Sequence, residues 1–123
     1  MNKSDLVNYC LGKKGTTEDY PFGPDTQTFK VMGKLFALTG AEADAATVNL
    51  KCDPDHAQLL RKVYPDDVVP GYHMNKRHWN TVTLNGAVPD DEIRDLIDES
   101  YDLVVAKLPK ADRDALKSTD ETR

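Results

Sequence analysis

The chain has 123 residues, of which 39% are hydrophobic and 30% are charged, and this length and composition suit one folded domain. No apolar run approaches the roughly 18 residues of a membrane span, and two cysteines are too few for a disulfide scaffold. Coiled coils and collagen-like chains are excluded as well. An acid at position 5 leaves no apolar block for a signal peptide, so we expect a cytoplasmic protein with no membrane association.

The acidic excess lies in the last third of the chain. Residues 1–80 contain 10 basic and 10 acidic side chains, whereas residues 81–123 contain 6 and 11, which accounts for the whole net charge of −5. A pI of about 5.1 argues against a strongly basic nucleic-acid module. A local basic patch remains compatible with it, because salt screens charges beyond about 10 Å from one another.

The chain begins with a predicted helix and an extended segment. The helix starts at Ser4, with Ser4 or Asp5 as its cap, and Gly12 ends it. Its apolar stripe consists of Leu6, Val7, Cys10 and Leu11. An extended piece is predicted over residues 17–22, where aromatic and turn-forming residues mix.

Strands follow. Residues 28–39 alternate on both sides of Met32-Gly33, which predicts a β-hairpin with a two-residue turn that pairs Phe29 with Phe36. A loop of small residues is predicted at 41–46. The next strand, at 47–52, places three residues on one apolar face: Val48, Leu50 and Cys52.

The second helix has clear start and stop signals. Asp53 is a favourable N-cap, Pro54 suits the first helical position, and Pro65 ends the helix. The helical period predicts an inward stripe of Ala57, Leu60, Val63 and Tyr64. It predicts an outward face of Gln58, Arg61 and Lys62.

A strand at 80–84 leads to the longest helix, which is predicted from its cap Asp90 to Pro109. Ser100 lies on the apolar stripe of this helix, so its hydroxyl is expected to bond to backbone. The stripe itself consists of Ile93, Leu96, Ile97, Tyr101, Val104, Val105 and Leu108. We expect residues 1–108 to form a single domain and residues 109–123 a short charged helix or a frayed tail.

The segment 72–79 is the most unusual in composition, with two fixed cations, two histidines, two aromatic residues and no acid. Its cations can contact phosphates and its aromatic rings can stack on bases, while the histidines add donors. Lysines near the hairpin and the next strand would extend such a patch. The candidate nucleic-acid-binding residues are Lys30, Lys34, Lys51, Tyr72, His73, Lys76, Arg77, His78 and Trp79.

A structural interpretation of the same segment stays open. Trp79 would then anchor the sheet, Tyr72 would cap the core, and Asn75 would fix a turn. For Trp79 this interpretation is favoured, since the single Trp of a small domain is usually buried. For Lys76 and Arg77 the alternative is a solvated loop.

Other chemistry has little support in the sequence. His73 and His78 are five residues apart, which matches neither a helical nor a strand pair of metal ligands. Cys10 and Cys52 lie on apolar faces and are expected to be buried thiols with no disulfide between them. Ser100 has no nucleophile motif around it. We therefore expect a protein with no catalytic activity, metal or cofactor.

Four sequence blocks resemble the MmcQ/YjbR family: residues 20–24, 29–38, 50–54 and 70–82. The resemblance extends from about Leu6 to Leu108. It implies a two-layer α+β fold in which helices cover an antiparallel sheet, a double-wing arrangement similar to secretion-chaperone domains. It also implies DNA binding, and it carries over no catalytic motif.

Three functions remain in competition. The first is DNA binding, for which about five phosphate contacts give a log–log salt slope near −4. The second is a protein-interaction or chaperone-like role through a sheet face or edge, by a monomer or weak homodimer. The third is an enzyme or a binder of a small anionic ligand, with a pocket between residues 20–22 and 72–79.

Overall fold

The computed structural model describes residues 1–40, 46–71 and 74–121, with the backbone alone for 118–121. Its helices are α1 (Lys3–Leu11), α2 (Pro54–Val63), α3 (Asp90–Ala106) and α4 (Lys110–Glu121). Its strands are β1 (Thr16–Asp19), β2 (Thr26–Val31), β3 (Lys34–Gly40), β4 (Thr47–Lys51), β5 (Val68–Pro70) and β6 (Trp79–Thr83). The loop predicted at 41–46 lies mostly outside the described residues.

The strands form one sheet in the order β1-β2-β3-β4-β6-β5, and every neighbouring pair is antiparallel. Helix α3 packs on β2, β3 and β4, and α2 packs on β5. Residues from the helices and from one face of the sheet form a single buried cluster. The predicted α+β fold with an antiparallel sheet is confirmed.

The hairpin has the predicted turn and a different register. Met32 and Gly33 both have positive φ, 50° and 81°, as a two-residue primed turn requires. Beyond the turn a bulge shifts the register, so Phe29 pairs with Ala37 and the predicted pairing with Phe36 is wrong. The extra residue lets Phe36 point to the helix layer, where its ring meets Tyr101 edge-to-face with 5.3 Å between centroids.

Two helix starts differ from the prediction. Asn2 caps α1: its side chain accepts from the Asp5 amide at 2.8 Å, and the Asp5 side chain accepts from the Asn2 amide in return. Pro89 occupies the N-cap position of α3, so Asp90 begins the helix and does not cap it. The Asp90 carboxylate instead accepts from the amino group of Met1 at 2.5 Å. Local signals locate these helices within a residue, but neighbouring groups decide which side chain caps them.

The buried face of α2 is narrower than predicted. Asp53 caps it and Pro54 begins it, as expected. Ala57 and Leu60 are buried, whereas Val63 is 57% exposed, so its predicted inward orientation is wrong. The helix lies near the end of the sheet and contacts β5, which has only three residues.

The C-terminal segment forms a helix that joins the core. Leu116 of α4 is 7% exposed and belongs to the buried cluster. A Cβ added to Gly15 would lie 2.5 Å from the Leu116 Cδ1 atom, and Gly15 has a φ of +73°. Glycine at this position therefore allows both the turn before β1 and the close approach of α4.

Several smaller predictions have clear outcomes. Strand β1 ends at Asp19, three residues before the predicted end of the extended segment. Cys10 and Cys52 are buried free thiols, as expected.

In the part of the chain that the structure describes, we find no helix with the length and apolarity needed to cross a membrane.

Candidate functional site

The two faces of the sheet differ in what covers them. Side chains alternate along each strand, so the cross-strand neighbours Ala37 and Leu50 share the face that packs against the helices. Their chain neighbours Leu38 and Asn49 point to the opposite side. We call this side the outer face; it carries Thr26, Lys30, Leu35, Leu38, Asn49 and Thr81.

A cleft of about 380 Å³ lies on the outer face. It is lined by Phe22, Thr26, Leu35, Leu38, Asn49 and Met74. Phe22 comes from the turn-rich segment after β1 and is 73% exposed, while Met74 comes from the segment 72–79. The structure therefore brings together the two segments between which the sequence predicted a pocket.

Cations flank this cleft on two sides. Lys30 is the cross-strand partner of Leu35, which lines the cleft. Lys76 and Arg77 are exposed and follow Met74 by two and three residues. Lys34 is exposed beside the hairpin turn, but it pairs with the buried Val31, so its side chain leaves the sheet on the helix-covered side. Three of the predicted binding residues thus lie on the strand and the loop that border the cleft.

The remaining predicted site residues contribute less. Trp79 is 9% exposed, as the structural interpretation expects, and offers little ring surface for stacking. His78 is partly buried, and its carbonyl accepts from the Cys52 amide at 2.7 Å. Lys51 is the cross-strand partner of Trp79. Burial lowers the pKa of its ammonium group, and the positive charge of Lys107 lowers it further. Tyr72 and His73 lie outside the described residues.

Arg61 fixes the loop that carries Lys76 and Arg77. Its Nε atom donates to Asn80 Oδ1 at 2.7 Å, and its guanidinium also donates to the Lys76 carbonyl and, at 3.4 Å, to that of Trp79. The predicted outward orientation of Arg61 is therefore wrong, because three oxygens beside α2 attract it inward. Asn75 fixes the turn as predicted: its side chain accepts from the Arg77 amide at 3.0 Å.

The acidic residues of α3 lie on the other side of the molecule. This helix packs on the face opposite the outer face through Ile93, Ile97 and Ser100, each of which is at most 1% exposed. Its polar side carries Asp91, Glu92, Asp95, Asp98, Glu99 and Asp102. The sheet thus separates these acids from the cations beside the cleft.

A second group of polar side chains lies behind the sheet, where β4 leads into α2. Cys52 Sγ lies 3.1 Å from Glu99 Oε2 and 3.5 Å from His56 Nδ1. His56 Nδ1 lies 2.7 Å from Glu99 Oε1. Burial, the hydrogen bond to Glu99 and the charges of Glu99 and Asp53 raise the pKa of the Cys52 thiol, so these surroundings do not favour a nucleophilic thiolate.

Sequence reasoning missed this second group. It assigned Cys52 to the core, found no grouping of cysteine with histidine, and weighed His73 and His78 as the candidate metal ligands. Glu99 is 47 residues from Cys52, and no local pattern joins them. The four-residue spacing of Cys52 and His56 at a strand–helix junction is the signal that was available.

Comparisons with known proteins agree on one family. A family model described as YjbR matches residues 11–103. The protein YjbR of Escherichia coli K12 is 38% identical over 94% of this chain and 98% of its own. YyaQ of Bacillus subtilis is 29% identical over 84% of this chain and 98% of its own.

A solved structure shows the same architecture. The crystal structure of Deinococcus radiodurans protein DR2400, described by the domain name DUF419, has a TM-score of 0.87 and 39% identity. The match covers 94% of this chain and 88% of that one. The names of these relatives and of this structure state no activity.

Proposed function

This chain belongs to the YjbR family, and from that premise we propose that it binds single-stranded DNA on the outer face of its sheet, without catalysis. One observation carries the proposal: an apolar cleft of about 380 Å³ on this face, with cations on both sides of it. Bases and phosphates require these two kinds of surface side by side.

The cleft supplies the surface for a base. Phe22 is 73% exposed at its rim, and Leu35, Leu38 and Met74 give it apolar walls. Stacking of a base on an aromatic side chain contributes about 1–3 kcal/mol and tolerates any base. A base inside a duplex is stacked on its neighbours and does not reach such a cleft, so an unpaired strand is the better fit.

The cations supply the surface for the phosphates. Lys30 lies on the strand beside the cleft, and Lys76 and Arg77 lie on the loop that follows Met74. Three phosphate contacts to a single strand give a log–log salt slope of about −2, less steep than five contacts to a duplex. The acids of α3 lie behind the sheet, although the net charge of −5 still limits the affinity.

Fluorescence anisotropy of labelled oligonucleotides tests the proposal. We expect a mixed-sequence single strand to bind more tightly than its duplex, with a salt slope of about −2. Phe22→Ala should weaken binding by roughly tenfold, as loss of one stacked base implies. Leu59→Ala is the matched control: Leu59 is 57% exposed but lies on α2, so its removal should leave the affinity unchanged. Equal binding by both variants, or no binding at low salt, would contradict the proposal.

The same cleft supports a second candidate, a small anionic ligand with an apolar part. Its volume of about 380 Å³ falls within the range of roughly 300–1,000 Å³ that ligand pockets occupy. Strand length separates the two candidates. Affinity that rises from a mononucleotide to a longer strand supports DNA, whereas full affinity for the mononucleotide supports a small ligand.

The protein-interaction role has weaker support. The sheet ends at β1 and β5, which have four and three residues, and short edge strands offer little backbone for an added strand. A partner that covers the outer face instead would compete with DNA. This role therefore stays a prediction.

A further inference from the structure

Three residues from separate elements converge behind the sheet. Cys52 directly follows β4, His56 lies in the first turn of α2, and Glu99 lies in the middle of α3. We propose that they form a binding site for Zn²⁺ or a similar divalent cation, with three protein ligands and an open fourth position. This site is separate from the cleft on the outer face and does not depend on DNA binding.

The start of α2 holds two of the three residues in place. The Asp53 carboxylate accepts from the His56 amide at 3.3 Å and from the Asp55 amide at 3.1 Å, which fixes the first turn. The Asp53 amide in turn donates to Glu99 Oε2 at 3.1 Å. The positions of His56 and Glu99 therefore follow from capping interactions and do not require a bound ion.

The ligand atoms lie close to the separations that a zinc ion needs. Around a tetrahedral ion with bonds of about 2.0–2.3 Å, two ligand atoms lie roughly 3.3–3.8 Å apart. Cys52 Sγ and His56 Nδ1 are 3.5 Å apart, within this range. The Glu99 oxygens are 3.1 and 2.7 Å from these atoms, so a small rotation of the carboxylate makes room for the ion.

The donor atoms select the class of metal. A thiolate sulfur and an imidazole nitrogen favour Zn²⁺ and its neighbours, whereas Mg²⁺ and Ca²⁺ prefer oxygen ligands only. Three protein ligands leave one position of a tetrahedron for water. Among the described residues, this is where His, Cys and acidic ligand atoms converge within 4.8 Å of one another.

The cluster has a route to solvent. A surface cavity of about 450 Å³ is lined by His56 and Glu99, together with Asp91, Glu92 and Asp95. These acids create a negative potential that attracts cations to the cluster. Cys52 itself is 3% exposed, so the ion would reach its sulfur from the side of His56 and Glu99.

Titration of the metal-free protein with Co²⁺ tests the site. Co²⁺ takes the place of Zn²⁺, and a cobalt–thiolate bond absorbs in the near ultraviolet. We expect one equivalent of Co²⁺ to produce this band and Zn²⁺ to abolish it by displacement. Mg²⁺ should not displace the Co²⁺, because the site offers sulfur and nitrogen.

Matched variants identify the ligands. Cys52→Ser should remove the band, while Cys10→Ala, which changes the other buried thiol, should keep it. Glu99→Gln should weaken Co²⁺ binding more than about tenfold, because outer partners of a metal site alone contribute 10–100-fold. Asp95→Asn, one turn earlier on α3, should change it only slightly.

His56→Gln provides a variant that is expected to fold, because the His56 side chain is 39% exposed. It should also weaken Co²⁺ binding more than about tenfold. Absence of the band in the unaltered protein would overturn the proposal, and so would a band that survives Cys52→Ser. If Glu99→Gln and Asp95→Asn weaken Co²⁺ binding by the same factor, the ion is held by the general acidity of the cavity, and this result also overturns the proposal.

Discussion

Replacement of Phe36 by alanine is expected to lower the free energy of unfolding by about 3–5 kcal/mol. Phe36 is fully buried, its ring contacts Tyr101 edge-to-face, and its carbonyl accepts from the Ser100 hydroxyl at 2.5 Å. Truncation would leave a cavity where the bulge of β3 meets α3. Urea unfolding followed by the fluorescence of Trp79, which is 9% exposed, measures the change.

Phe22→Ala is the matched control for this prediction. Phe22 is 73% exposed, so its removal should change the free energy of unfolding by no more than about 0.5 kcal/mol. Phe36→Ala therefore tests the packing of the core, whereas Phe22→Ala should lower the affinity for DNA and leave the free energy of unfolding nearly unchanged. A loss below about 1 kcal/mol for Phe36→Ala would contradict the packing described for the bulge.

Reversal of two charges beside the cleft, Lys76→Glu with Arg77→Glu, is expected to weaken single-stranded DNA binding by well over tenfold at low salt. The salt slope should fall from about −2 to about −0.7, because two of three phosphate contacts are lost. The loop itself should keep its shape. Arg61 and Asn75 hold it through the Lys76 and Trp79 carbonyls and the Arg77 amide, and the two side chains are exposed. Anisotropy measured at several salt concentrations gives both quantities.

A second double reversal controls for net charge. Arg113→Glu with Lys117→Glu changes exposed residues of α4 and lowers the net charge from −5 to −9, as the first pair does, since each reversal removes two units. Helix α4 docks through Leu116 beside Gly15, away from the cleft. The control should keep the slope near −2. Equal losses for both pairs would mean that only the overall charge matters.

Local signals were sufficient for much of the fold. The turn at Met32-Gly33, the cap at Asp53 with Pro54, and the hydroxyl of Ser100 bonded to backbone all follow from short stretches of sequence. Each depends on backbone groups that are close in the chain or on a single buried polar group. The family resemblance added the antiparallel sheet.

Long-range contacts determine what the sequence did not predict. The bulge that moves Phe36 out of register places its ring against Tyr101, a residue of a distant helix that no local pattern in β3 indicates. The inward orientation of Arg61 depends on carbonyls of a loop far along the chain, where helical periodicity carries no information. For the candidate site, the sequence predicted the two segments that meet at the cleft, but it did not predict which strand residues form the floor of the cleft between them.

NMR mapping of backbone amide shifts on addition of a single-stranded oligonucleotide shows which face of the protein the strand contacts. We expect the shifts to concentrate at residues that line or flank the cleft: Phe22, Thr26, Lys30, Leu35, Leu38, Asn49, Met74, Lys76 and Arg77. The exposed residues of α3 should not respond. Shifts confined to α3, or no shifts at an oligonucleotide concentration in large excess, would contradict DNA binding on the outer face.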